Sequence, residues 1–143
     1  MTQSSRSLAE ITKRMRAIDI CMLVTKTGED AKIAARPMSN NQDVDRDDGT
    51  TYHFASDDGR IDDDLRRSNE CGATYSDGDF WAAIQGTARL IHDRSTMEEH
   101  WVPDLEKWFE DGLDSPDLVL IEVVPSRIAW WEGRENGELT PGS

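Results

Sequence analysis

The stretch KIAARPMSN, residues 32–40, alternates with the two-residue period of a strand. Ile33, Ala35 and Pro37 point one way, and Lys32, Ala34, Arg36 and Met38 the other. Proline has no N–H for the ladder, so Pro37 belongs at an edge, a bulge or a strand end. Pairing is therefore interrupted where the chain presents a guanidinium, an arrangement that suits an anionic ligand.

Outward from this strand the chain reads as mostly β. Upstream, the turn TGED (27–30) joins it to a strand in DICMLVTK (19–26), giving an antiparallel pair. Further upstream, Leu8, Ile11, Met15 and Ile18 lie at helical spacing behind Ser7, a plausible N-cap. Downstream, NQDVD (41–45) allows another strand, DRDDGT (45–50) is a loop, and TYHFAS (51–56) is a strand. A short acidic helix fits Ile61 and Leu65. CGATYSD and FWAAIQGTARLIHD follow as strands, the second bent or bulged at Gly86. Met97, Trp101, Leu105 and Trp108 predict an amphipathic helix, kinked by Pro103. DLVLIEVVP and SRIAWWEG close the pattern as two strands. About seven strands with three short helices do not make a βαβ series; short turns favour antiparallel pairing and a barrel. The expectation is one α+β domain over 1–143, with residues 1–6 and 134–143 as flexible tails.

At 143 residues, 36% hydrophobic and 31% charged, the chain supports one lean core and no apolar membrane span. Its net charge of −13 opposes binding to nucleic acid or anionic membranes. The first residues, MTQSSRSLAEI, lack a signal-like apolar block, so the cytoplasm is the expected compartment. Cys21 and Cys71 read as reduced, buried thiols. The scattered His53, His92 and His100 form no metal-binding pattern, so no metal is expected.

Arg36 is either an exposed edge arginine or, with Arg60 at a helix start, half of a phosphate clamp. The five tryptophans all fall in the second half, which suggests core or subunit-interface packing. Adjacent Trp130 and Trp131 must face opposite sides of their strand, freeing one for a partner or a flat ligand. Ser56, Ser76 and Ser126 have no nucleophile motif around them, and no phosphate-binding glycine loop occurs. No catalytic residue is assigned; chemistry would come from a cofactor.

In order and spacing, ARPMS, YHFAS with its helix, WAAIQGTARLIHD, EEHWVPDLEKWF, DSPDLVLIEVVP and IAWWEG resemble the pyridoxamine 5′-phosphate oxidase-like superfamily. Within it they are similar to the general stress protein 26 group, over about residues 7–133. The resemblance implies an FMN-binding split β-barrel, antiparallel and of Greek-key type. It also implies a homodimer with flavin at the subunit interface. Carried over by position, Arg36, Pro37, Met38 and Ser39 approach the flavin and its phosphate tail, and Phe54, Ala55 and Ser56 line the ribityl region. Arg60 holds the phosphate, Trp108 lies in the group's WF segment, and Trp131 reaches the flavin from the other subunit. The chain departs from the family pattern in three places. Ile61 stands where relatives have a phosphate-binding lysine, among Asp57, Asp58, Asp62, Asp63 and Asp64. Trp81 replaces a glutamine opposite the ring. The basic motif that follows the oxidase's FW strand has no counterpart after WEGRENGELTPGS, which argues against pyridoxamine phosphate oxidation. The resemblance implies a stress-associated flavin redox protein acting on an undefined small molecule. FAD or weak FMN binding, a non-catalytic carrier or sensor, and a cofactor-free dimer are the alternatives.

Overall fold

A computed structural model describes residues 2–3, 6–40 and 48–141. The strand expected over residues 41–45 lies outside the described residues. Helix α1 (Leu8–Arg16) begins at Ser7, whose hydroxyl accepts from the Glu10 N–H while Glu10 reaches back to the Ser7 N–H. This reciprocal cap aims Ile11 and Met15 into the core. Strands β2 (Ile20–Thr27) and β3 (Lys32–Ser39) form the expected hairpin, pairing Leu23 with Arg36 and Met22 with Pro37. β4 (Thr51–Ser56) leads into α2 (Arg60–Arg67), and β5 (Glu70–Asp77) and β6 (Phe80–Ile91) form the next hairpin. The resulting sheet is almost entirely antiparallel, as expected for an α+β split barrel.

The expected break between the last two strands is absent: β7 (Leu118–Glu132) runs through Pro125. A register shift makes this possible. Gly86 pairs with Pro125 and Gln85 with Arg127, so Ser126 bulges out and its hydroxyl donates to the Gln85 carbonyl. A proline at such an irregularity removes no required ladder bond. β4 pairs with the first half of β7 and β8 (Glu135–Leu139) with the second half. The stretch 134–143, expected as a tail, therefore supplies a strand, and β1 (Thr2–Gln3) adds to its outer edge in parallel. Arg6 also departs from the tail expectation, pairing with Glu132 at 2.6 Å and Glu135 at 2.7 Å. Only Leu139 in ENGEL is strongly apolar, so an edge strand there had no hydrophobic alternation to reveal it.

Strands β3, β2, β5, β6, β7 and β4 curve around the main core, and the seam between β3 and β4 has no ladder among the described residues. His53 spans that seam. Its Nδ1 lies 3.1 Å from the Ser39 carbonyl and its Nε2 3.0 Å from the Thr51 hydroxyl. On the other face of β4, Tyr52 and Phe54 enter a second apolar cluster with Met97, Leu105 and Leu120. β4 is thus buried on both faces. The predicted long helix over this cluster is divided: α3 (Arg94–His100) stops, Trp101 and Val102 are extended, and a 3-10 segment runs Pro103–Lys107. A residue before proline disfavours the helical region, so Pro103 breaks the helix rather than bending it. No helix among the described residues is long and apolar enough to cross a membrane.

Candidate functional site

The two faces of β3 reverse ordinary expectation. Ile33, Ala35 and Pro37 are exposed, with Ile33 78% accessible, while Met38 is buried and Arg36 turns inward. Arg36 enters a groove where the unpaired seam lets β3 and β4 part toward the 3-10 segment. A cavity of about 540 Å³ lies there. It is lined by Arg36, Pro37, Met38 and Ser39 from β3, by Phe54, Ala55 and Ser56 from β4, and by Ile20, Ile61, Trp108 and Phe109. Among the described residues Arg36 is the sole ionisable side chain lining it. A second compartment of about 440 Å³ shares Arg36, Ser56 and Ile61 and adds Thr27, Asp57, Asp58, Arg60, Asp64 and Asp117. One end of the groove is apolar and aromatic. The other is acidic.

These compartments bring together every site residue expected from the sequence except Trp81 and Trp131. Those two lie directly opposite each other on β6 and β7, 54% and 37% exposed, and line neither compartment. Trp130 is fully buried, as the alternation around it demands. Trp108, 56% exposed, stands at the apolar compartment beside Phe109.

The polar end is wired internally. Arg36 donates to the Thr25 hydroxyl at 3.1 Å and lies 4.0 Å from the buried Asp64 carboxylate, which Arg67 approaches at 3.9 Å. Arg60 is 87% exposed and grips Asp58 with Nε 3.0 Å from both carboxylate oxygens. That pairing holds the Asp58 carboxyl below the usual carboxylate range and raises the guanidinium. The start of α2 already carries an anion, because Asp57 accepts from the N–H groups of Gly59 (3.1 Å), Ile61 (2.9 Å) and Asp62 (3.2 Å). Gly59, at φ 107°, provides the backbone turn that leads back over this carboxylate. Sequence reading missed Asp57 in this role, although an aspartate two residues before a glycine and a helix is a recognisable turn-and-cap signal.

Neither cysteine is an activated nucleophile. Burial pushes the Cys21 and Cys71 thiols up to about 11.

The family described as "Pyridoxamine 5'-phosphate oxidase like" matches residues 6–140. The chain belongs to that family. General stress protein 26 of Bacillus subtilis is 35% identical over 66 residues, covering 46% of this chain and 44% of that protein, so the match spans less than half of the relative. Among solved structures, a Clostridium acetobutylicum protein related to general stress protein 26 superposes with a TM-score of 0.80 at 18% identity, covering 93% of each chain. The general stress FMN/FAD binding protein of Xanthomonas citri gives 0.72 at 24% identity over 87% of each. At these identities the structural matches establish the split-barrel fold of this oxidase-like protein.

Measured against a flavin, the groove is two-sided. Its apolar end, flanked by Trp108, Phe109, Phe54 and Met38, has the size and character that a flat tricyclic ring needs. Its polar end does not fit a phosphate. The N–H groups at the α2 start and Arg60 are engaged by the chain's own carboxylates, Asp64 lies near Arg36, and Ile61 offers no charge.

Proposed function

We propose that this oxidase-like protein binds a flavin in the groove between β3 and β4 and serves as a stress-associated redox protein. The convergence of Arg36, Pro37, Met38, Ser39, Phe54, Ala55, Ser56 and Trp108 on one apolar cavity carries the reading. The family resemblance implies FMN, with FAD as the alternative, and both carry the phosphate that the polar end does not fit. A bound flavin supplies hydride and electron transfer. The protein's part is to hold and shield the ring: Phe54, Met38 and Trp108 exclude water, and Arg36 presents guanidinium donors beside it. Among the described residues no other ionisable group lines the apolar compartment.

The outward face of β2 and β3 supports a homodimer. Ile20, Met22, Ile33 and Pro37 are exposed there beside the groove. Such apolar surface suits burial against a second copy, and Trp81 and Trp131 add exposed aromatic area elsewhere on the sheet. The expected setting is the cytoplasm.

The protein purified without added flavin, and again after incubation with flavin, is tested for a visible absorption band that survives gel filtration. Retention of the band is the expected result; its absence under both conditions contradicts the reading. Bleaching of that band by NADH or NADPH separates an oxidoreductase from a carrier or sensor.

A further inference from the structure

Resting on the flavin reading, the polar end of the groove leads to a narrower conclusion. A phosphate seated at the α2 start would have to displace Asp57 from three backbone N–H groups, at 2.9–3.2 Å. It would then face Asp58, Asp64 and Asp117, which line the same compartment. Two guanidiniums line the compartment among the described residues. Arg60 is held by both oxygens of Asp58, and Arg36 lies between Thr25 and the buried Asp64. At the head of the helix, Ile61 adds a buried apolar side chain.

Among the described residues, four carboxylates against two arginines line this compartment and leave it net acidic. A phosphate monoester brings about −1.5 to −2 further charges into it. A hydroxylated, uncharged tail brings none, and carboxylate oxygens accept hydrogen bonds from hydroxyls. Asp57 thus acts as a built-in anion where a cofactor phosphate would otherwise bind.

We infer that the groove selects a phosphate-free flavin of the riboflavin type over FMN, with the Asp57 carboxylate occupying the phosphate position at the start of α2.

The test is a pair of fluorescence-quenching titrations of the full chain, one with riboflavin and one with FMN, at about 0.01 M and about 0.5 M salt. Riboflavin is expected to bind about tenfold more tightly at low salt, a gap that narrows as salt screens the aspartates. A second protein, Asp57→Asn with Ile61→Lys, frees the helix start of charge and restores a cation. It is expected to shift the preference toward FMN by about tenfold or more. Asparagine is itself a good cap, and a melting curve verifies folding. FMN binding as tight as or tighter than riboflavin in the parent overturns the inference while leaving the flavin reading intact. An unchanged preference in the folded double variant also overturns it. Saturable binding of neither flavin removes the flavin reading itself. Should the double variant not fold, the parent's two titrations decide.

Discussion

His53 is fully buried in the β3–β4 seam, and desolvation lowers its pKa from 6.5 to about 4. The neutral ring meets the Ser39 carbonyl at one nitrogen and the Thr51 hydroxyl at the other. Because the folded state resists protonation, the unfolded chain binds the extra proton first. The stability from neutral His53 is therefore fully present above pH 6.5 and is lost as the pH falls toward 4, amounting to about 3 kcal/mol. Denaturant melts at pH 7 and pH 4.5 should show a steeper loss for the parent than for His53→Gln, which carries no titrating ring. Equal pH dependence would contradict this account. Arg36 supplies the second residue-scale prediction. Arg36→Ala should weaken flavin binding by about ten- to a hundredfold, since a hydrogen bond from a charged group contributes about 1.5–3 kcal/mol. Arg36→Lys should recover part of that loss, because a point charge does not replace a planar fork. Unchanged affinity in folded Arg36→Ala would show that the guanidinium does not serve the ligand. The place of Arg36 on an edge strand was legible from the adjacent Pro37. The engagement of Arg60 by Asp58 was not, because composition shows an excess of aspartate but not which carboxylate folds back onto which donor.

At the scale of elements, periodicity located what local chemistry controls. The α1 cap and the β2–β3 turn follow from residues near one another in sequence. Two boundaries depended on distant partners. β7 runs unbroken through Pro125 because β6 supplies a glycine opposite it, and β8 forms because β7 offers an edge. A methyl group at Gly86 would sit 2.2 Å from the Val124 carbonyl oxygen and 3.0 Å from the Pro125 Cα, both backbone atoms that cannot swing aside. Gly86→Ala should therefore destabilise the protein by about 2–4 kcal/mol, measurable as a lower denaturation midpoint. A midpoint within error of the parent would mean that the bulge accommodates a side chain.

At the scale of the molecule, the exposed apolar residues are unevenly placed. Ile20, Met22 and Ile33 lie on the outward side of the β2–β3 hairpin next to the groove, and Trp81 and Trp131 form an exposed cross-strand pair. Sedimentation velocity should give a dimer, and Ile33→Glu should shift it toward monomer with little effect on the core, since Ile33 is 78% exposed in the single chain. A parent that remains monomeric at all accessible concentrations would contradict the shared-interface reading. The family was legible because its motifs lie in order along the chain, and so was the acidic setting of Ile61; that Asp117 joins Asp57, Asp58 and Asp64 in one compartment required the fold. The account rests most directly on that groove holding a flavin. Ser56, exposed at the end of β4, lines both compartments, so Ser56→Trp fills the passage between them without entering the core. Riboflavin and FMN are titrated against the parent and this folded variant, with flavin fluorescence as the readout. The account predicts saturable quenching by at least one flavin, at one site per chain, that is lost or strongly weakened in Ser56→Trp. Quenching by neither flavin, or equal binding to both proteins, would contradict it.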